Sequence, residues 1–157
     1  MKKTFILLSI LLSSFLFSSC NDDDNDENFV YDERLIGDWT LVNIAADVTA
    51  GDDMEKADVS IDLVNTSYPK VNTVYTFNKD GSIKVITHKN EGFNGKYTFK
   101  DDILNINIEG NTFNNLPVWI SGNVMRVEED ITKQYVYDDT PYPTVSKVLK
   151  IYNLVKK

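Results

Sequence analysis

Apolar side chains recur at alternate positions along much of the chain. In Ile103–Glu109, Leu104, Ile106 and Ile108 alternate with Asn105 and Asn107, the period of a strand with one buried face. Asn72–Asn78 sets Val74 and Thr76 on one face and Tyr75 and Phe77 on the other. Asn78–Lys79–Asp80–Gly81 supplies a turn, so Ser82–His88 is expected to fold back as a hairpin. Gly92 and Gly95 bracket another expected turn before Lys96–Lys100, and Asp101–Asp102 turns the chain into Ile103. Pro117–Ser121, Asn123–Glu129, Ile131–Tyr137 and Val145–Val155 read as later strands, and ordered structure is expected to begin at Leu35–Val42. No stretch carries a convincing 3.6-residue period. Ala46–Pro69 is the one long connection. In it Met54–Ala57 suggests one short helical turn, Val59–Val64 is ambiguous, and the whole reads as an insertion arching over one end of the sheet.

Eight or so short strands joined mostly by tight turns predict an all-β, antiparallel up-and-down meander, as a sandwich or a closed barrel. Closure has the advantage of leaving no unpaired strand edge. The bulky candidates for the inner face are Trp39, Tyr75, Phe77, Tyr97 and Phe99, with Leu41, Leu104, Ile106, Ile108, Leu149 and Ile151 beside them.

The first residues follow a different pattern. Lys2 and Lys3 precede an apolar run, Phe5–Phe17, broken only by serines, and Ser18–Ser19 are the small residues a signal peptidase needs beside its cut. The run is too short for a stable helix across the ~30 Å hydrocarbon core of a bilayer. It reads as a signal peptide over residues 1–19. It ends at Cys20, the chain's single cysteine, which leaves no second thiol for a disulfide or a cysteine-based metal site. Asn21–Asn28 is an acidic run expected to be solvated and disordered, so residues 20–34 read as a tether and 35–157 as the folded domain. Asp22, Asp24 and Asp26 have the one-three-five spacing of a calcium loop with Glu33 at position twelve, but Glu27 stands where that loop requires glycine.

Removing residues 1–19 leaves 138, a natural size for one domain with a real core. It also lowers the basic count from 16 to 14 against 24 acidic residues, a net charge of about −10. That charge, with no basic stripe, repels phosphate backbones and argues against nucleic-acid binding.

Leu16–Phe17–Ser18–Ser19–Cys20 resembles the lipobox of bacterial lipoproteins, with Phe17 in the place of the usual leucine. The resemblance implies diacylation of the Cys20 thiol, cleavage before it, and a lipid anchor in the outer membrane. The acidic run behind the cysteine is similar to tethers of Gram-negative lipoproteins exported to the cell surface. A plain secretory signal with an unmodified cysteine is the alternative. Gly37–Asp38–Trp39 is similar to the Gly-x-Trp that opens the first strand of lipocalins, whose tryptophan packs across the closed end of the barrel. Phe77–Gly81, Gly95–Phe99 and Leu104–Ile106 look like the lipocalin-like domains of small bacterial lipoproteins, so the resemblance spans roughly residues 35–155. Lipocalins also place an arginine over that tryptophan. Here the arginines are Arg34 and Arg126, neither in the last strand.

Candidate chemistry is sparse. A Ser-His-Asp or Cys-His system needs a histidine, and the only one, His88, falls at an expected strand end beside Lys89. Asp52–Asp53, Asp101–Asp102, Glu128–Asp130 and Asp138–Asp139 fall in turns or at strand ends, where acidic residues are ordinary solvated punctuation. No enzyme activity, cofactor or metal is expected. The expected function is binding, of a small lipid-like apolar ligand in a narrow barrel interior lined by Trp39, Tyr75, Phe77, Tyr97 and Phe99. The alternative is recognition of a glycan or protein by rim aromatics over a filled core. Tyr142, held between Pro141 and Pro143, and Trp119, with Phe113, are its candidates.

Overall fold

Turn residues with positive φ mark where the strands reverse. Asp101 and Asp102 (φ 52° and 59°) and Glu109 and Gly110 (49° and 86°) form two-residue connections with both residues left-handed. That geometry matches the twist of antiparallel strands. The computed structural model describes residues 31–157. Within them the chain order is β1 (Gly37–Ala50), α1 (Asp53–Thr66), β2 (Val74–Phe77), β3 (Ser82–Ile86), β4 (Gly92–Lys100), β5 (Ile103–Ile108), β6 (Asn111–Ser121), β7 (Val124–Asp130), α2 (Thr132–Tyr135) and β8 (Val145–Lys156). Each strand pairs antiparallel with the next, and β8 pairs with β1 to close the barrel.

The β1–β8 ladder is the longest, from Trp39 opposite Lys156 to Ala50 opposite Val145. It contains a bulge at Val42, where the register steps from Leu41–Leu154 to Asn43–Asn153. The extra residue resets the alternation. Trp39 and Leu41 face inward before it and Ile44 and Val48 after it, all buried, while Val42 is exposed.

One end of the barrel is sealed by the lead-in. Leu35 and Trp39 are fully buried, and the Trp39 indole N–H donates to the Leu35 carbonyl at 2.7 Å. The Lys156 ammonium lies 5.3 Å from the Trp39 ring centroid and donates to the Arg34 carbonyl at 3.3 Å. This cation–π contact closes the seam between the first and last strands. Phe77 and Tyr97 meet edge to face above it, centroids 5.0 Å apart, a favourable arrangement of ring quadrupoles.

The opposite end carries the long connections, and there several expectations are corrected. Ala46–Ala50 continues β1, and the expected single turn at Met54–Ala57 is part of a fourteen-residue helix. Asp52 caps that helix, accepting from the N–H groups of Met54 and Glu55 at 2.8 and 3.0 Å. Val59 and Leu63, one turn apart, are its buried residues, whereas Met54, Ile61 and Val64 are exposed. Glu55 accepts from the Thr144 N–H and hydroxyl (2.9 and 2.8 Å), and the Tyr135 hydroxyl donates to Asp62 at 2.9 Å. These bonds pin α1 to the β7–β8 connection. Ile131–Tyr137 is a helical turn and loop, not a strand, because Asp130 accepts the Thr132 N–H at 2.9 Å and starts α2. Gly92 and Gly95 lie inside β4 and bracket no turn. Gly95 is required by space: a Cβ there would meet the Asn107 carbonyl oxygen at 2.1 Å.

Candidate functional site

A cavity of about 370 Å³ occupies the barrel interior between the sealed end and the end bearing α1. Its walls come from alternate residues of consecutive strands: Tyr75 and Phe77 on β2, Val85 on β3, Phe93 on β4, Leu104 and Ile106 on β5. Across the barrel Met125, Val127 and Glu129 of β7 face Leu154, Tyr152 and Lys150 of β8 in register. Tyr68, Pro69 and Phe113 frame the outer part. This is a mostly apolar pocket at the small end of the range that holds small molecules.

Its polar groups are few and close together. The Tyr152 hydroxyl donates to Glu129 Oε2 at 2.5 Å. Lys150, opposite Glu129 in the ladder, donates instead to the Tyr68 carbonyl at 3.2 Å, with its ammonium 5.0 Å from the Tyr152 ring centroid. The Tyr75 hydroxyl has no hydrogen-bond partner among the described residues. Burial sets the electrostatics here. It pushes the Tyr75 phenol well above its ordinary value, helped by Tyr68 and the Glu129 charge. It does the same to Tyr152, reinforced by the hydrogen bond to Glu129. It holds the Lys150 ammonium below its ordinary value, against the pull of Glu129. All three shifts follow from the cost of charge in a low-dielectric interior.

Of the five residues expected to line a binding interior, Tyr75 and Phe77 do so. Trp39, Tyr97 and Phe99 are buried but lie outside the lining; they build the floor of the barrel. Tyr97 is fixed there by its hydroxyl, which donates to the Asn78 carbonyl at 2.7 Å, and burial pushes its phenol up to about 12. The expected inward pair Leu149 and Ile151 does not line the cavity, where alternation places Tyr152 and Leu154 instead, although Ile151 is buried. Ile108, also expected inward, lines the cavity.

The rim aromatics do not come together. Trp119 is 58% exposed on the outer face of β6, near the sealed end, where it stands opposite Arg126. Tyr142 belongs to the far end, half-buried and tilted against Tyr135 at 6.2 Å. Phe113 faces the cavity mouth. Glu129, read from sequence as part of a solvated acidic strand end, faces the barrel interior instead. The signal for it was the alternation Met125–Val127–Glu129 continued by one step.

His88 is exposed in the β3–β4 connection, and no cluster of three His, Cys, Asp or Glu side chains suited to a metal ion occurs among the described residues. Cys20, residues 1–19 and the acidic run at 21–28, with the calcium-loop positions Asp22, Asp24 and Asp26, lie outside the described residues. Comparison with models of protein families, with curated proteins and with solved structures found no match to the chain.

Proposed function

We propose that this chain is a lipocalin-like, membrane-anchored binding protein that takes a small apolar, lipid-like molecule into its barrel. The observation that carries the reading is the cavity itself: about 370 Å³ of mostly apolar space, walled by strands and closed below by Trp39 and Leu35. An interior packed for stability alone would be filled, because empty apolar volume is destabilising. Lys156 over Trp39 supports the lipocalin-like part, since it sets a cation from the last strand where that family sets an arginine. The anchor is Cys20, acylated after signal cleavage and held in the outer membrane. Rim recognition is not favoured, because Trp119 and Tyr142 are at opposite ends.

Titration with the neutral fluorescent probe 1-aminonaphthalene, small enough for a cavity of this volume, tests the reading. Saturable fluorescence enhancement is expected, and Val85→Trp, which puts an indole into the cavity between Tyr75 and Phe93, is expected to abolish it while the barrel stays folded. Equal enhancement in both proteins would contradict an interior site.

A further inference from the structure

The polar corner of the cavity is specific enough to say what kind of head its ligand carries. We propose that the ligand is a neutral amphiphile ending in a hydroxyl, which donates to Glu129 and accepts from Tyr75; this rests on the reading of the barrel as an apolar-ligand carrier.

Asn111 and Tyr68 also line the cavity but are exposed, and of the part-buried polar groups Glu129 and Tyr75 have unused capacity. Glu129 accepts the Tyr152 hydroxyl on Oε2, and its Oε1 makes no hydrogen bond among the described residues. Among the described residues nothing pairs with the Tyr75 O–H. A hydroxyl is the group that both donates and accepts, and it satisfies an acceptor and a donor at once. Charge decides against the alternatives. Glu129 and Lys150 are directly opposed in the β7–β8 ladder on the inner face, so the corner already contains one charge of each sign. A carboxylate head would meet the Glu129 charge, and the ammonium that could offset it is turned to the Tyr68 carbonyl and lies outside the cavity lining. An ammonium head could pair with Glu129, but it carries no acceptor for the Tyr75 O–H. Either ion also loses its hydration on entry, a cost an alcohol avoids. At ~30 Å³ per water-sized group the cavity has room for about a dozen non-hydrogen atoms, a decyl chain with its head.

Calorimetric titration of the purified full chain with 1-decanol, decanoate and decylammonium, each below its aggregation limit, tests this. Decanol is expected to bind at least tenfold more tightly than either ion. Tyr75→Phe removes one hydrogen bond and is expected to weaken decanol by roughly three- to tenfold. Glu129→Gln removes the repulsion and leaves Lys150 uncompensated. It is expected to improve decanoate by about tenfold relative to decanol, a shift in preference that loss of structure would not produce. Circular dichroism checks the fold of both variants. Decanoate or decylammonium binding as tightly as decanol to the unaltered chain would overturn the hydroxyl assignment and leave the carrier reading intact, as would an unchanged ratio of decanol to decanoate affinity in Glu129→Gln. Failure of all three probes to bind would overturn the carrier reading, and the head assignment with it.

Discussion

Gly95 shows how little freedom a single position in this barrel has. It faces β5 so closely that a methyl group would sit 2.1 Å from the Asn107 carbonyl oxygen, a backbone atom fixed by the ladder. Gly95→Ala is expected to destabilise the fold by about 1–3 kcal/mol through forced separation of β4 and β5, read as a lower urea midpoint. The buried tyrosines make a second prediction. Tyr75 and Tyr152 have phenols raised by burial above the ordinary 10.0. A raised folded value means that the stability they contribute is complete below pH 10 and declines above it, where the unfolded chain releases protons that the folded chain keeps. The loss is up to about 1.4 kcal/mol per pH unit for each phenol still protonated. Lys150 acts with the opposite sign: its lowered value makes stability rise with pH, but only up to the ordinary 10.5 and by one proton. Net stability from urea titrations is therefore expected to fall between pH 10.5 and 12. Phenolate absorbance at 295 nm is expected to show Tyr75 and Tyr152 ionising only on unfolding. A flat profile would place these hydroxyls in solvent.

At the scale of elements, legibility followed the contrast between faces. β5 was plain because asparagines separate Leu104, Ile106 and Ile108, so one face is apolar and the other polar. β8 was recognisable as a strand, but Val148, Leu149, Ile151 and Leu154 put apolar residues on both faces, and the inner face carries Lys150. Hydrophobicity then points to the wrong parity. Only the ladder with β7 fixes it. The helix α1 was illegible for a related reason. It buries just Val59 and Leu63, while Met54, Ile61 and Val64 face solvent, so no apolar stripe marks its period. Its place is set by tertiary bonds from Glu55 and Asp62 that no local pattern announces. The cavity was half legible: Tyr75 and Phe77 follow from strand alternation, whereas Glu129 and Tyr152 depend on the register between the neighbouring strands β7 and β8. If α1 is held chiefly by its two buried side chains, Leu63→Ala costs about 2–5 kcal/mol, and Ile61→Ala, at 59% exposure, changes stability by no more than about 0.5 kcal/mol. Equal effects in denaturant titration would mean that the helix packs differently.

For the whole molecule, the ends of the barrel divide the labour. The sealed end holds the entering chain, with Arg34 bonded to Asp102 of the β4–β5 turn at 2.9 Å and Lys156 over Trp39. The far end carries α1, the β7–β8 connection and the cavity mouth. We propose an acyl anchor on Cys20, upstream of the sealed end. Cys20→Ser is expected to move the protein from the membrane to the soluble fraction after cell fractionation, with the barrel intact. Retention of the variant in the membrane would mean that something other than an acyl anchor holds it.

Native mass spectrometry of the chain purified from its own cells tests the central claim, that the barrel interior holds an apolar ligand. The account predicts a discrete added mass that disappears on denaturation and is missing from Val85→Trp. The bare protein mass in both, or the same added mass retained by Val85→Trp, would contradict it.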